Sequence, residues 1–212
     1  MAGGQNQSEA ELLAQLTTRI RESLLPVDQP FDRGELEDAA SLVLDTASHR
    51  PDGEPRIAIR ESDTGRRKLR IALINDDMPF LVDSVSAQIA DFGLAIDRLV
   101  HPVVRVVRDD EGQLKGLPGK DSDAARESMI YLETEHAEPA ARDELEQELR
   151  TTLADVRMAV TDWPAMRRAM QADGHALADK EGAALLEWLS GGMLTQLGHL
   201  VRHRDGTEEN AL

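Results

Sequence analysis

The chain has 212 residues and a mass of 23.3 kDa, which suits one medium-sized domain or a small domain with helical additions. Forty acidic and 24 basic residues give a net charge of -16, and the scattered arginines form no basic face, so nucleic acid and anionic membranes are disfavoured as partners. The lack of cysteine excludes disulfides and thiolate chemistry, and no apolar stretch approaches the ~20 residues that span a bilayer. The N-terminus has no basic-then-apolar signal pattern, so we expect a cytoplasmic protein.

Two amphipathic helices are predicted in the first fifty residues. The first begins near Glu9 and ends before Pro26. Its apolar residues lie four apart, at Leu12, Leu16, Ile20 and Leu24. The second covers residues 32–48, with Asp32 as a candidate N-cap. Neither helix carries an obvious reactive group, so we interpret both as packing or partner-contact elements.

The centre of the chain predicts a strand, a helix and another strand within about thirty residues. A short strand at 56–60 and a turn at Asp63-Thr64-Gly65 lead into the apolar run 69–74, which has the profile of a strand buried on both faces. A helix follows at 79–92. Its apolar stripe consists of Leu81, Val85, Ile89 and Phe92. The chain becomes extended again at Leu94, which completes a compact βαβ unit.

The corner between this strand and this helix has two interpretations. Asp76 and Asp77 precede Pro79, and a carboxylate there could accept the first backbone N–H groups of the helix and offset its dipole. Alternatively, backbone N–H groups at such a corner could hold the carboxylate of a small ligand. The residues of this candidate ligand site are Asn75, Asp76, Asp77, Met78 and Phe80. Two carboxylates would repel an anion unless one turned outward, so the second interpretation predicts only a weak anion site.

An extended run is predicted to continue past residue 100 to residue 107. Pro102 cannot donate to a ladder, so it predicts a bulge or an edge position. His101 could act as an acid or base near neutral pH, but no acid or nucleophile adjoins it in sequence, which favours a structural role. Residues 114–126 predict a loop, and residues 128–134 predict a further strand.

The longest predicted helix begins at Pro139 and has one apolar stripe up to residue 162. Trp163-Pro164 is predicted to break it, and one or two further helices are predicted over 166–189. Residues 193–202 predict a strand that no partner strand follows. Because a lone strand at a chain end is a liability, we expect this sequence to be part of a longer protein.

No metal site and no catalytic residue are predicted. Residues 133–157 hold eight acidic residues against three arginines, but they are spread along a rod instead of converging from a loop, which favours a solvated surface. His199 and His203 would lie about 13 Å apart on a strand. The sequence has no Gly-x-Gly-x-x-Gly after a strand, no catalytic lysine in a glycine setting and no Ser/His/Asp constellation, so no cofactor site is predicted here.

Several separated motifs occur in order over about residues 35–204. They are Asn75-Asp76-Asp77-Met78-Pro79-Phe80-Leu81-Val82-Asp83-Ser84, Val100-His101-Pro102-Val103-Val104-Arg105-Val106, Glu127-Ser128, Asp155-Val156-Arg157, Val160-Thr161-Asp162-Trp163, Glu187-Trp188-Leu189 and Leu197-Gly198. Together they resemble the N-terminal ACT-type region of the large bacterial NAD-specific glutamate dehydrogenases.

This resemblance implies a regulatory or assembly segment at the front of a much longer enzyme, which converts L-glutamate to 2-oxoglutarate with NAD. It implies that the catalytic machinery lies downstream. The implied partners are the downstream catalytic domains, further copies of the chain in a homo-oligomer, and an amino-acid effector. Amino-acid-binding ACT domains commonly carry glycine after the proline of the first corner; Phe80 stands there in this chain, which argues against effector binding at this corner.

The predicted fold class is α+β, a two-layer sandwich. Its core resembles the ACT/ferredoxin-like fold, with a mainly antiparallel sheet, helices on one face and extra N- and C-terminal helices. An ACT module follows its second helix with a fourth strand, whereas this chain continues as helix. The strand at 56–60 therefore takes the fourth place, or the sheet is smaller.

The sequence predicts three segments: an N-terminal helical segment (1–50), an ACT-like domain (51–163), and a C-terminal helical extension with the start of a following domain (164–212). Three functions stay open at this point. The first is a non-catalytic regulatory or oligomerising segment of a glutamate dehydrogenase, the second is a free-standing amino-acid-sensing module, and the third, which the sequence favours least, is an enzyme of its own.

Overall fold

The structure is a computed structural model that describes residues 7–24, 30–62 and 67–210. The helices are α1 (Glu9–Glu22), α2 (Arg33–Ala47), α3 (Leu81–Asp91), α4 (Pro139–Ala176) and α5 (Lys180–Trp188), with a π-helical turn at Leu189–Met193. The strands are β1 (Arg56–Glu61), β2 (Lys68–Asp76), β3 (Ile96–Val100), β4 (Val103–Arg108), β5 (Leu114–Gly116), β6 (Ala125–Glu135), β7 (Leu200–Arg202) and β8 (Glu208–Asn210). The predicted turn at Asp63-Thr64-Gly65 lies outside the described residues.

The chain divides into two compact units, Met1–Leu153 and Ala154–Leu212, and the boundary falls inside α4. The first unit contains the main sheet with α1, α2 and α3. The second contains the later turns of α4, α5 and the β7–β8 hairpin. No helix in the described residues has the length and apolar character needed to cross a membrane.

All pairings in the main sheet are antiparallel, and the strand order is β1-β2-β6-β4-β5, with β3 also paired to β6. β2 and β3 are therefore parallel to each other with β6 between them, which is a split βαβ arrangement around α3. β1 lies beside β2 and takes the fourth place. The α+β ACT/ferredoxin-like core is confirmed, and its fourth strand precedes the core in sequence.

Strands β3 and β4 form one interrupted strand along β6. β3 pairs as far as Val100 with Tyr131, and β4 resumes at Val103 with Ser128. Between them the backbone N–H of Met129 donates to the Pro102 carbonyl at 3.0 Å. Pro102 has no N–H to return, so the ladder is interrupted at the position where the sequence predicted a bulge or an edge.

Both faces of the sheet are covered by helices, because side chains alternate between the faces along each strand. One face packs against α1 and α2. Its buried strand residues are Ala72, Ile74, Val100, Val104, Val106, Met129 and Tyr131. The alternate residues, Leu69, Ile71, Leu73, Ile130 and Leu132, are buried on the opposite face. The apolar stripes of α3 and early α4 are buried as well, and Thr152 Oγ1 donates to Gln88 Oε1 at 3.1 Å between them. The extra helices α1 and α2 thus add a third layer to a two-layer core.

The predicted helix break at Trp163-Pro164 is wrong, because α4 continues through Pro164 to Ala176. A proline inside a helix removes one hydrogen bond and costs about 3 kcal/mol. Packing on both sides offsets this cost: Val156 and Met166 are buried before and after the proline, and the Arg167 guanidinium lies 5.5 Å from the Trp163 ring centre. One missing hydrogen bond therefore does not end this helix.

Two strands were missed in segments predicted as loop or tail. β5 forms inside the predicted loop 114–126 and pairs with β4, because the turn at Gly112 (φ +80°) brings the chain back beside Arg108. The predicted strand at 193–202 shortens to β7, and it has a partner, β8. Asp205 accepts the Thr207 N–H at 3.0 Å and Gly206 has φ +85°, which makes a tight turn out of a stretch read as a polar tail.

Substitution of Gly112 and Gly53 can distinguish the cost of a positive φ from the cost of a steric clash between a new Cβ and a neighbouring backbone. Both have positive φ, +80° and +74°, but a Cβ at Gly112 would meet the Arg50 carbonyl oxygen at 2.5 Å while one at Gly53 would meet nothing within 4 Å. We expect Gly53→Ala to lower the free energy of unfolding by about 1 kcal/mol and Gly112→Ala by roughly 2 kcal/mol more. Urea denaturation of the two variants measures the difference, and equal costs would contradict the close approach.

Candidate functional site

The corner between β2 and α3 is a left-handed turn. β2 ends at Asp76, Phe80 adopts φ +71° and is 45% exposed, and α3 begins at Leu81. The first helical hydrogen bond runs from the Ser84 N–H to the Phe80 carbonyl at 2.9 Å, and no side chain caps the helix. The interpretation of Asp76 or Asp77 as the N-cap of α3 is therefore wrong, because the helix begins later and both carboxylates bind elsewhere.

Asp76 belongs to a buried cluster of two carboxylates and two arginines. Arg50 Nη2 lies 2.6 Å from Asp76 Oδ1, and Arg50 Nε donates to Glu127 Oε1 at 2.9 Å. Arg108 binds the same Glu127 through Nε and Nη2, each at 2.8 Å. The side chains of Arg50 and Glu127 are 4% and 1% exposed. Burial alone would lower the pKa of Arg50, but Glu127 and Asp76 outweigh it and raise the pKa, so the guanidinium stays charged.

The same cluster joins three separate parts of the chain. Arg108 Nη1 donates to the carbonyls of Ala47 and Gly112, each at 2.8 Å, and Arg50 donates its backbone N–H to the Gly112 carbonyl at 2.9 Å. The end of α2, the β4–β5 turn and β6 are thereby held together.

A cavity of about 580 Å³ adjoins the cluster, but its rim carries Asp109, Asp110 and Glu111. We interpret the cluster as structural, because its arginines are already paired.

Asp77 belongs to a second cluster on the other side of β6. Arg126 Nη2 lies 2.5 Å from Asp77 Oδ2, and the Ser128 hydroxyl is 3.3 Å from Asp77 Oδ1. His101 Nε2 lies 2.8 Å from the same hydroxyl. Burial lowers the pKa of His101, and the charge of Asp77 opposes this only in part, so the imidazole is neutral near pH 7. Ser128 is fully buried and lies between the histidine and the aspartate, an arrangement that offers no nucleophile to a substrate.

The predicted site residues therefore separate instead of converging. Asn75 is buried, Met78 is half-buried and Phe80 is exposed. Asp76 and Asp77 follow each other on an extended chain, so they point to opposite sides and reach different arginines. Their partners Arg50 and Arg126 were not predicted, because no local pattern connects residues so far apart in sequence. The expected repulsion between two free carboxylates does not arise.

His199 and His203 lie on either side of β7. Among the described residues, no group of three or more His, Cys, Asp or Glu side chains could hold a metal ion. His203 Nε2 lies 3.6 Å from Glu209 Oε2 across the β7–β8 hairpin, and His199 precedes β7.

A family profile described as the ACT1 domain of glutamate dehydrogenase matches residues 29–149, more than half of the chain. The chain belongs to this ACT1-domain family. It is similar to the NAD-specific glutamate dehydrogenases of Halomonas elongata (35% identity over 144 residues) and Pseudomonas aeruginosa (32% over 143 residues). Each match covers 61% of this chain and 9% of the relative, so the chain spans a small part of these relatives' length.

The ACT1 match includes more than the βαββα core. It begins before α2 and ends within α4, so it contains β1 in the fourth strand position and both charged clusters at the corner. α2, which forms part of the third layer, is thus part of the ACT1 domain. α1 and the unit beyond residue 153 lie outside the matched range.

Glu127→Gln tests the buried cluster of the ACT1 domain. The amide cannot balance Arg50 and Arg108, so two buried cations lose their shared carboxylate, and we expect a loss of about 3–5 kcal/mol in the free energy of unfolding. Glu146→Gln is the matched control, because Glu146 pairs with Arg150 on the surface of α4 at 2.6 Å and should cost under ~1 kcal/mol. Chemical denaturation compares them; a difference below about 1 kcal/mol would refute the structural role.

Phe80→Gly and Phe80→Ala test the left-handed corner. Both variants lose the ring, so their difference reports the cost of a Cβ at φ +71°. We expect the glycine variant to be more stable by about 1 kcal/mol. The same two substitutions at Gln147, an exposed position inside α4, should give the opposite order, with alanine more stable by about 1 kcal/mol. The left-handed assignment fails if both sites favour alanine in thermal unfolding.

Proposed function

We propose that this chain is a non-catalytic regulatory and assembly segment of a large NAD-dependent glutamate dehydrogenase. In this proposal NAD and glutamate bind to downstream catalytic domains, and the segment contributes contacts instead of turnover. Membership of the ACT1-domain family and similarity to two NAD-specific glutamate dehydrogenases support the connection to that enzyme. The clusters at the corner support the non-catalytic assignment, because their charged groups are paired with each other.

The observation that carries the assembly role is the distribution of exposed apolar side chains. Eleven large apolar side chains are exposed in the described residues, and nine of them lie in the unit Ala154–Leu212. They are Met158, Trp163, Leu177, Leu185, Trp188, Met193, Leu194, Leu197 and Leu200. Exposed apolar groups at this density are typical of a surface that another protein surface covers. We propose that the ACT-like segment 51–163 is the regulatory part, and that 164–212 contacts the following domains or a second copy.

The test uses Trp188→Ser combined with Leu197→Ser, which are 56% and 76% exposed. We expect the pair to weaken assembly of the full-length gene product by at least tenfold in sedimentation experiments, with little change in the fold of the segment. Lys180→Ser, an exposed polar position on the same helix as Trp188, is the control and should assemble normally. If the isolated chain self-associates and the pair abolishes this, the partner is a second copy; if it is monomeric, the partner is a downstream domain.

Two results would refute this proposal. The first is unchanged assembly of the Trp188/Leu197 variant. The second is glutamate-dependent reduction of NAD by the purified 212-residue chain, which would show that the segment itself is catalytic.

A second candidate function is an amino-acid-sensing module that binds its effector at the corner formed by Asn75, Asp76, Asp77, Met78 and Phe80. One observation favours it: Arg50 and Arg126 neutralise the two aspartates, so a ligand carboxylate would not meet two free negative charges there. Calorimetry with the common amino acids separates the two functions. Saturable binding that Phe80→Ala weakens would favour the sensor, whereas no binding would leave the assembly role.

A further inference from the structure

Four basic residues line a cavity of about 220 Å³ beside β4, which we call the basic cavity. They are Arg19 of α1, Arg105 of β4, Lys120 of the loop after β5, and Arg126 of β6. The other lining residues, Gln15, Val103, Val104, Leu117 and Pro118, include no carboxylate. The chain as a whole has a net charge of -16, so this concentration of positive charge runs against its surroundings.

Arg105 and Arg126 are directly opposite each other on neighbouring strands. They are register partners between β4 and β6, so their side chains share one face with Cβ atoms about 5 Å apart. Like charges in this position are destabilising unless something neutralises them. Arg126 has a carboxylate partner, Asp77, at 2.5 Å. Arg105 donates instead to the backbone carbonyls of Lys120 and Ala124, at 3.0 and 2.9 Å.

The guanidinium of Arg105 is thus held in place by carbonyl oxygens, and no described carboxylate forms an ion pair with it. Carbonyl oxygens are neutral dipoles, and the Nη2 group of Arg105 makes no hydrogen bond to any described residue. Lys120 likewise forms no ion pair within the described chain, although Asp121 and Asp123 follow it closely. Arg19 has one surface partner, Glu22, at 3.4 Å. Among the described residues, therefore, Arg126 and Arg19 have carboxylate partners and Arg105 and Lys120 have none within ion-pair distance.

We propose that the basic cavity binds a small dianion, either phosphate or a compact dicarboxylate. Arg105 offers a planar guanidinium whose position is fixed, which suits a bidentate contact with two oxygens of one group, and Lys120 adds a point charge. The cavity volume of about 220 Å³ suits a small ion. None of the corner residues 75–80 lines this cavity, although Arg126 also pairs with Asp77, and the proposal does not depend on the proposed parent enzyme.

The test is calorimetric titration of the 212-residue chain with sodium phosphate and with sodium succinate at low ionic strength. We expect saturable 1:1 binding of at least one anion, and the tighter of the two identifies its chemistry. Lys120→Gln should weaken binding about five- to tenfold, because it removes one charge without breaking an internal hydrogen bond. Arg105→Gln should weaken it at least as much. Raising the sodium chloride concentration should weaken binding further, since these contacts are screened by salt.

Arg33→Gln is the matched control. Arg33 is exposed on α2, pairs with Glu37 at 3.1 Å and does not line the cavity, so the substitution removes the same charge from a position outside the proposed site. Binding should stay within twofold of the unsubstituted chain. If Arg105→Gln disturbs the fold through its two carbonyl contacts, Lys120→Gln alone decides. The proposal is overturned if neither anion binds saturably, or if Arg33→Gln weakens binding as much as Lys120→Gln.

Discussion

Two buried carboxylates on one face of β6 determine how the third layer sits on the ACT-like sheet. Glu127 and Glu133 lie on the same face as Met129 and Tyr131, so an apolar centre is bracketed by a charge at each end. Their separation of six residues is about 20 Å along the strand, close to the ~22 Å length of α2. Glu127 accepts a hydrogen bond from Arg50, which lies shortly after the end of α2. Glu133 lies near the beginning of α2, where Arg98 contacts both Glu133 and Glu35.

Glu133, like Glu127, is a buried carboxylate paired with two cations, but its partners are different. Glu133 is 3% exposed and lies 2.9 Å from Arg98 and 3.2 Å from Lys68. Burial alone would lower the pKa of Lys68, but hydrogen bonds to Asp97 and Glu133 outweigh it and raise the pKa. Tyr131 donates its hydroxyl to Glu133 at 3.0 Å, and burial raises the pKa of this phenol far above its ordinary value. Tyr131 therefore remains a neutral donor.

Arg98 connects this end of β6 to the start of α2. It lies 3.4 Å from Glu35, the residue whose side chain also accepts the Asp32 N–H in the capping box of α2, and its guanidinium lies 4.0 Å from the centre of the Phe31 ring. A shift of α2 along the sheet would separate Arg50 from Glu127 at one end and Glu35 from Arg98 at the other, while Arg108 would stay with Glu127, and Arg98 and Lys68 with Glu133. Buried ion pairs add little net stability compared with apolar packing, but an unpaired one is costly, so the two ends select one position for the helix.

The sequence predicted the elements whose signal is local. The four-residue spacing of apolar side chains located α1, α2, α3 and most of α4, and the apolar run at 69–74 located β2. Glu127 and Glu133 could not be recognised as buried, because a carboxylate in a strand usually faces water and their partners Arg50, Arg98 and Arg108 are distant in sequence. At the corner, the sequence located the turn and its residues, but the arginines that decide what Asp76 and Asp77 do were outside any local pattern.

The ion pairs of the corner and of β6 also limit which charged groups are available to bind a ligand. In the corner and along β6 the buried charges are balanced inside the ACT-like unit, so these groups stabilise one arrangement of layers and have no charge left for a substrate. Within the described residues, the groups without an ion-pair partner or a covering surface lie elsewhere: Arg105 and Lys120 at the basic cavity, and the exposed apolar side chains beyond residue 153. The proposed anion binding and the proposed contact with another protein surface rest on these two sets of groups. The paired groups Arg50, Asp76, Arg108 and Glu127 line a cavity of about 580 Å³, and their ion pairs stabilise the arrangement of the layers beside it.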